Sequence, residues 1–140
     1  MKLFINNSPQ QVEWEHNESV EALRQRIKEK PITIQMRKYG TFEQVGTIGH
    51  LPSDDHYIST LPGDIVLYNH NQIVIFYDEH AYHYTRLGRI IGKSKEEFYQ
   101  LLGKEDILLT IYKLRHCIKQ CLFFMKGNNL NRNFVMIWFL

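Results

Sequence analysis

Short segments with strand-like patterning, each followed closely by turn-forming residues, recur along most of this sequence and limit its possible folds more than any other feature. Residues 32–37 alternate apolar and polar side chains, the pattern of a strand with one face on a core. Residues 65–68 and 72–77 are rich in β-branched and aromatic side chains and are separated by three residues, which is typical of a hairpin. The predicted strands, about eight in number, are 2–5, 11–14, 32–37, 42–48, 65–68, 72–77, 85–90 and 106–112.

Two helices are predicted between these strands. Asn17 can cap a helix over residues 18–29, which has acidic residues in its first turns and basic residues at its end. Ser94 and Glu97 form a capping box at the start of a helix over 95–102. Two helices among so many strands are too few for parallel β-α-β winding. The sequence therefore predicts a mainly β fold, an antiparallel barrel with capping helices.

The overall charge is close to balance, with 17 Lys and Arg against 15 Asp and Glu and a formal net charge of +2. An electrostatic nucleic-acid binder is expected to be strongly basic, so we expect no nucleic-acid partner. No apolar run reaches the ~20 residues of a transmembrane helix, and the apolar N-terminus is too short for a signal peptide. These features predict a cytoplasmic protein without membrane association.

The acidic residues stop well before the chain does, which indicates a domain boundary. All 15 Asp and Glu lie within residues 1–114, whereas residues 115–140 contain basic residues, apolar runs and both cysteines, Cys117 and Cys121. We therefore predict a domain over 1–114 and an appended basic, apolar extension over 115–140. The extension either packs on the domain or a neighbouring subunit, or acts as a self-association arm. Its C-x-x-x-C pattern lacks the second ligand pair of a zinc site.

Several segments together resemble the small prokaryotic cyclophilin-like domain family. The segments that carry the resemblance are PITIQM at 31–36, FEQVG at 42–46, PGDIVLY at 62–68, QIVIFY at 72–77 and YTRLGRI at 84–90. The resemblance extends over nearly all of residues 1–114. It implies a closed eight-stranded antiparallel barrel capped by two α-helices, one at each end.

The resemblance also implies a catalytic candidate, Arg37. Cyclophilins accelerate X-Pro isomerisation with an arginine near the prolyl nitrogen. A guanidinium hydrogen bond to that nitrogen would weaken amide resonance and lower a rotation barrier of ~18–20 kcal/mol. Met36 and Tyr39 lie beside Arg37, but the Gln-Gly-Gly run of the cyclophilins does not follow. The alternative is that Arg37 is an ordinary solvent-exposed arginine of a strand.

Aromatic residues are dense between positions 57 and 84, and together they could line a groove for a peptide or a flat small molecule. Strand alternation must also place some rings singly on the surface or in the core, which is the alternative for any one of them. The predicted ligand cleft consists of Met36, Tyr39, Tyr68, Phe76, Tyr82 and Tyr84.

Two clusters contain the residue types that bind transition metals. One comprises residues 78–80 with His83 and with His70 of the preceding hairpin, and the other comprises His50 with residues 54–56. Neither has the ligand spacing of a metal site, so we expect no metal. The sequence also lacks a phosphate-binding loop and a Ser-His-Asp arrangement, and we expect no cofactor.

The sequence therefore predicts a cyclophilin-like domain that acts as a non-catalytic binding module, with a peptide or a small molecule as its ligand. Two alternatives remain open. One is a peptidyl-prolyl cis/trans isomerase that uses Arg37, against which the missing Gln-Gly-Gly run counts. The other is a structural domain that docks to another protein or associates with itself, which the apolar extension would favour.

Overall fold

The computed structural model describes residues 1–114, in which strands form two antiparallel sheets accompanied by two helices. The elements in chain order are β1 (Lys2–Ile5), β2 (Ser8–Gln10), β3 (Val12–Trp14), α1 (Glu18–Arg26), β4 (Ile32–Gln35), β5 (Arg37–Tyr39), β6 (Glu43–Thr47), β7 (His56–Thr60), β8 (Asp64–Tyr68), β9 (Gln72–Phe76), β10 (His80–Ile90), α2 (Lys95–Leu102) and β11 (Leu108–Tyr112). The predicted extension over 115–140, including Cys117 and Cys121, lies outside the described residues. Within 1–114, neither helix has the length and apolar character needed to cross a membrane.

The smaller sheet joins the two ends of the described chain. Its strand order is β2-β1-β11-β4, so β11 lies between the N-terminal strand and β4. Leu109 of β11 is opposite Ile5 on one side and opposite Ile34 on the other. All three side chains are buried in the core, so the last described strand is as central to the fold as the first.

The larger sheet has the order β3-β10-β8-β9-β6-β5, and β7 pairs with the first part of β10. The predicted hairpin of residues 65–68 and 72–77 is its centre, formed by β8 and β9. The turn before β8 contains Gly63 at a φ of +94°, which L-residues rarely adopt. The Pro62-Gly63 pair satisfies this turn, because proline fixes the first central residue and glycine accepts the positive φ of the second.

The prediction of a closed eight-stranded barrel is wrong. The described residues form eleven strands in two open sheets. The predicted strand over 32–37 is one reason: its first four residues form β4, which pairs with β11, and its last residue, Arg37, begins β5, which pairs with β6 in the other sheet. The predicted strands also omitted residues 56–60, which form β7 against β10. The prediction of a mainly β fold with two helices is confirmed.

The main core lies between the two sheets, and the helices complete it. Alternate residues of β8 and β9 point inward, so Ile65, Leu67, Ile73 and Ile75 are fully buried there. The helix residues in this core are Val20, Leu23, Phe98 and Leu102.

Both helices begin at the predicted caps. The Asn17 side chain accepts a hydrogen bond from the Val20 N–H, and its amide also donates to the Arg86 carbonyl at 2.8 Å, which ties α1 to β10. Ser94 and Glu97 form the predicted capping box of α2. The helices are therefore fixed to the sheets by local sequence signals.

The outer face of the larger sheet, which points away from the main core, is apolar as well. Val66, Val74, Phe76 and Tyr84 form a second buried cluster on this face. The partly buried side chains packed against this cluster are Phe42, Val45, Ile58 and Tyr68. An apolar outer face needs its own cover, and the candidate site lies where that cover is incomplete.

A fully buried carboxylate, Asp64, joins the start of β8 to the end of β10. Arg89 Nε donates a hydrogen bond to Asp64 Oδ1 at 2.5 Å. Arg86 Nη1 forms an ion pair with Oδ2 at 2.8 Å, and the Leu61 N–H donates to the same oxygen at 2.9 Å. Burial alone would raise the pKa of Asp64, but hydrogen bonds from Arg89, Leu61 and Arg86 hold it below its ordinary value. Asp64 is therefore ionised at neutral pH and fixes β8 against β10.

We expect Asp64→Asn to lower the free energy of unfolding by about 3 kcal/mol, because two half-buried guanidinium groups lose their carboxylate. The matched control is Asp78→Asn, which removes a surface carboxylate 3.1 Å from Lys95 and should cost less than about 1 kcal/mol. Urea unfolding of both variants at pH 7 measures the difference. Equal losses would show that the buried pairs do not fix the sheet.

Candidate functional site

The candidate site is a cleft of about 570 Å³ on the outer face of the larger sheet. Strands β5, β6, β8 and β9, with the residue before β6, supply one part of its lining, and the first part of β10 supplies the other. In β10, residues 80–84 pair with β7 and residues 85–89 pair with β8, so the strand changes partner midway. The cleft is lined by Tyr39, Phe42, Glu43, Val45, Tyr68, Gln72, Val74, His80, Ala81, Tyr82 and Tyr84.

Strand register determines which side chains reach the cleft. Directly opposite residues in an antiparallel pair have their side chains on the same face of the sheet. Tyr39 is opposite Glu43, and Tyr68 is opposite Gln72, and all four line the cleft. These two pairs belong to local hairpins, and the pairing of β6 with β9, in which Val45 is opposite Val74, joins the two hairpins into one site.

Aromatic rings in contact form much of the lining. The rings of Phe42 and His80 are stacked, with centroids 4.3 Å apart and planes inclined by 17°. Tyr84 contacts Tyr68 at 5.9 Å and Tyr82 at 6.0 Å, both in edge-to-face geometry. Such pairs have preferred orientations, so each ring restrains its neighbours and the cleft is largely preformed.

Glu43 is the one carboxylic acid among the described residues of the lining, and it is only 7% exposed. Its carboxyl group makes no hydrogen bond or ion pair with residues 1–114. Burial raises the pKa of Glu43 to about 7, because the charged form loses its hydration. Near neutral pH the group is present in both forms, so it can accept or donate a proton.

Tyr84 lies next to this carboxyl group on the outer face. Burial raises the pKa of the Tyr84 hydroxyl, and the negative charge of Glu43 raises it further. The hydroxyl therefore stays protonated over the whole physiological range and remains a hydrogen-bond donor. The cleft thus offers one titrating acid and one fixed donor within an aromatic lining.

The predicted cleft residues divide into two groups. Tyr39, Tyr68, Tyr82 and Tyr84 line the cleft. Phe76 is fully buried in the cluster beneath it, with its ring 5.5 Å from that of Tyr84. Met36 is fully buried in the main core, because it lies at the point where the chain passes from β4 to β5.

Arg37 is exposed on β5, at the edge of the larger sheet. It is opposite Val45, which lines the cleft, so the register places Arg37 on the cleft side of the sheet. It is not among the residues that line the cleft. Its catalytic role stays a prediction.

Sequence reasoning missed Glu43, Phe42 and Gln72 and considered His80 only as a metal ligand. An acidic residue inside a predicted strand is ordinarily assigned to the solvent side. A signal was nevertheless present, because period-two alternation puts Glu43 on the same face as Val45. An apolar and an acidic residue on one face indicate a carboxyl group beside apolar surface.

The two clusters considered as metal sites do not gather their side chains. Among residues 1–114, no three His, Cys, Asp or Glu side chains are grouped so that they could hold a metal ion. The loop histidines make other contacts: the ring of His50 lies 6.0 Å from that of His70, and His70 Nδ1 lies 2.5 Å from the Ser53 hydroxyl.

Comparison with known proteins agrees with the resemblance found in the sequence. The model of a family described as the cyclophilin-like family matches residues 3–112. A search of curated proteins and a search of solved structures gave no match. The matched region includes both sheets, both helices and every residue that lines the cleft.

The raised pKa of Glu43 predicts a pH-dependent effect of Glu43→Gln. Between pH 4.5 and about 7 the folded chain holds a proton that the unfolded chain releases, so Glu43 lowers the stability of the folded state as pH rises. The full effect is about 3 kcal/mol, at roughly 1.4 kcal/mol per pKa unit. We therefore expect the stability of Glu43→Gln relative to the wild type to increase by about 2–3 kcal/mol between pH 4.5 and pH 8.

Urea unfolding at these two pH values measures the change, with the exposed Glu79→Gln as the control. The control should show no comparable pH dependence. A constant difference between Glu43→Gln and the wild type would mean that the Glu43 carboxyl group keeps an ordinary pKa.

Proposed function

Since this chain belongs to the cyclophilin-like family over residues 3–112, we propose that it is a ligand-binding domain and that the cleft is its binding site. The observation that carries the proposal is the composition of the lining: five aromatic side chains surround one buried carboxyl group. Concave, mostly apolar sites with a few polar groups are the usual form of small-molecule sites.

The size of the cleft supports the same conclusion. Its volume of about 570 Å³ lies within the ~300–1,000 Å³ that is common for ligand pockets. A space of this size accommodates a small organic molecule or one side chain of a peptide. The aromatic lining favours a ligand with a flat or ring-shaped part.

The exposed rings provide a driving force for binding. Tyr39 is 67% exposed and Tyr82 is 47% exposed, whereas Tyr84 is buried. A ligand that covers Tyr39 and Tyr82 removes apolar surface from water, which contributes roughly 25 cal/mol per Å².

The chemistry of the lining favours binding over covalent catalysis. Its described residues include none of the nucleophiles Ser, Thr, Cys and Lys. Glu43 can exchange a proton, but no second group makes a hydrogen bond to its carboxyl group within residues 1–114.

Peptidyl-prolyl isomerisation is the second candidate function. It is favoured by the register of β5, which places Arg37 on the cleft side of the sheet beside Val45. A prolyl ring bound against Val45 and Tyr39 would bring its nitrogen toward the Arg37 guanidinium. The exposure of Arg37 weakens the candidate, because water competes for the same hydrogen bond.

We also propose that the binding domain ends near residue 114 and that residues 115–140 form a separate extension. The family match, which ends at residue 112, supports this boundary. Self-association through the extension is part of the same proposal. Light scattering over a range of concentrations, with and without the extension, distinguishes an association arm from an added segment.

Binding can be tested by recording amide NMR spectra of the labelled protein with a library of small ring compounds of mixed charge. We expect shifts centred on the lining residues. Tyr82→Ala should weaken the binding of the best compound about fivefold to tenfold, because one ring of the lining is lost. The control is Tyr57→Ala, which removes a 65% exposed tyrosine of β7 that does not line the cleft, and its effect should stay within twofold. Shifts that cluster elsewhere, or none, would overturn the proposal.

The isomerase candidate can be tested by measuring cis/trans exchange in X-Pro peptides by NMR. If Arg37 polarises the prolyl nitrogen, Arg37→Ala should remove catalysis by the wild type. The matched control is Lys38→Ala, since Lys38 is also exposed but alternates to the other side of β5. An absence of exchange catalysis in the wild type would exclude this function, and equal effects of the two variants would exclude the role of Arg37.

A further inference from the structure

The formal charges around the cleft are one-sided. Glu43 is an acid, and none of the described lining residues is a Lys or Arg. Arg37, on the cleft side of β5, makes no ion pair with Glu43 and is exposed to solvent. Arg86 and Arg89 of β10 are engaged by Asp64. When Glu43 is ionised, the cleft therefore presents negative charge without a matching Lys or Arg from residues 1–114.

Glu43 is more than nine-tenths buried, yet it lines the cleft and has no polar partner among residues 1–114. A buried carboxylate is costly unless a charge or several hydrogen bonds compensate it. In the ligand-free protein the compensation is a proton, which is why the pKa of Glu43 is raised. A bound cation would replace that proton.

The rings supply a second feature that suits a cation. Phe42, Tyr68, Tyr82 and Tyr84 lie around the same space as Glu43. The faces of aromatic rings carry partial negative charge and attract ammonium groups, especially where water is excluded. A carboxylate combined with several aromatic rings is complementary to an organic cation and repels an anion.

We infer that the cleft selects organic cations, and that its ligand is an amine or ammonium compound whose charged nitrogen lies against Glu43 and whose apolar part contacts the rings. This inference rests on the proposed binding function and specifies its ligand class. The ligand could be a free amine or an amine-bearing side chain of a peptide, because both present the same group.

The inference includes a pH dependence with a defined sign. A cation binds the ionised form of Glu43, so its affinity should rise as pH increases from 6 to 8. The other titratable groups around Glu43 are His80 and Tyr82 of β10, Tyr39 of β5 and Tyr68 of β8, with Tyr84 beside them. Tyr77, which follows β9 and is buried, also interacts with the charge of Glu43. His80→Gln separates any contribution of the imidazole from that of Glu43.

The experiment compares three probes that share a ring and differ in charge: benzylamine, benzyl alcohol and benzoate. Their affinities are measured by NMR titration of the full chain at pH 6 and pH 8. At pH 8 we expect benzylamine to bind at least about tenfold more tightly than benzyl alcohol, and benzoate to bind most weakly. Glu43→Gln should reduce the affinity for benzylamine to that for benzyl alcohol and should remove most of the pH dependence of benzylamine binding. His80→Gln should retain that pH dependence.

A second variant adds charge instead of removing it. Gln72→Glu introduces another carboxyl group into the lining. It should strengthen the binding of benzylamine severalfold and leave the binding of benzyl alcohol unchanged. Equal binding of benzylamine and benzyl alcohol at the cleft would overturn the cation inference and leave the binding function intact. Tighter binding of benzoate than of benzylamine would also overturn the cation inference and leave the binding function intact. If none of the library compounds or these probes binds, both the inference and the proposed function fail.

Discussion

The larger sheet is apolar on both faces, and this constraint shapes the rest of the domain. Ile65 and Ile75 point into the main core, while Val66 and Val74 alternate to the outer face. A sheet of this kind needs cover on each side. The smaller sheet and the helices cover the inner face completely. The first part of β10 and the aromatic side chains cover the outer face only in part, and the cleft is the region left open.

Strand β10 makes this arrangement possible because it pairs with three strands. Its second part lies between β3 and β8 in the larger sheet, and its first part pairs with β7 beside the cleft. The register shifts between Arg86 and Gly88, where a side chain on Gly88 would come within 2.7 Å of the Glu13 carbonyl oxygen of β3. Asp64 binds both arginines of this region, so the buried ion pairs lie where the pairing changes. The geometry of the cleft therefore depends on a contact outside it.

The local features of the fold were predictable, and the long-range ones were not. Asn17, Ser94 and the Pro62-Gly63 pair act on neighbouring residues, so the sequence indicated both helix starts and the turn before β8. After β4 the chain passes from the smaller sheet to the larger one. This passage depends on pairing with strands that are distant in the sequence, so no local pattern predicts it. Tyrosines were found as cleft residues because aromatic density is visible in a sequence. Glu43 was missed because its burial results from the pairing of β6 with β5 and β9.

In the binding function that we propose, Glu43 is where stability and function oppose each other. A glutamine, or an apolar residue like the neighbouring Val45, would remove the cost of burying a charge above neutral pH. The fold does not need the carboxyl group, since it joins no strands or helices within residues 1–114. Asp64 is the contrast: it is fully buried, but two hydrogen bonds and an ion pair with Arg86 hold it, and it connects two strands. A buried acid with structural partners contributes to the fold, whereas one that faces an open cleft without partners adds nothing to it, and this difference supports the proposal that Glu43 receives a ligand.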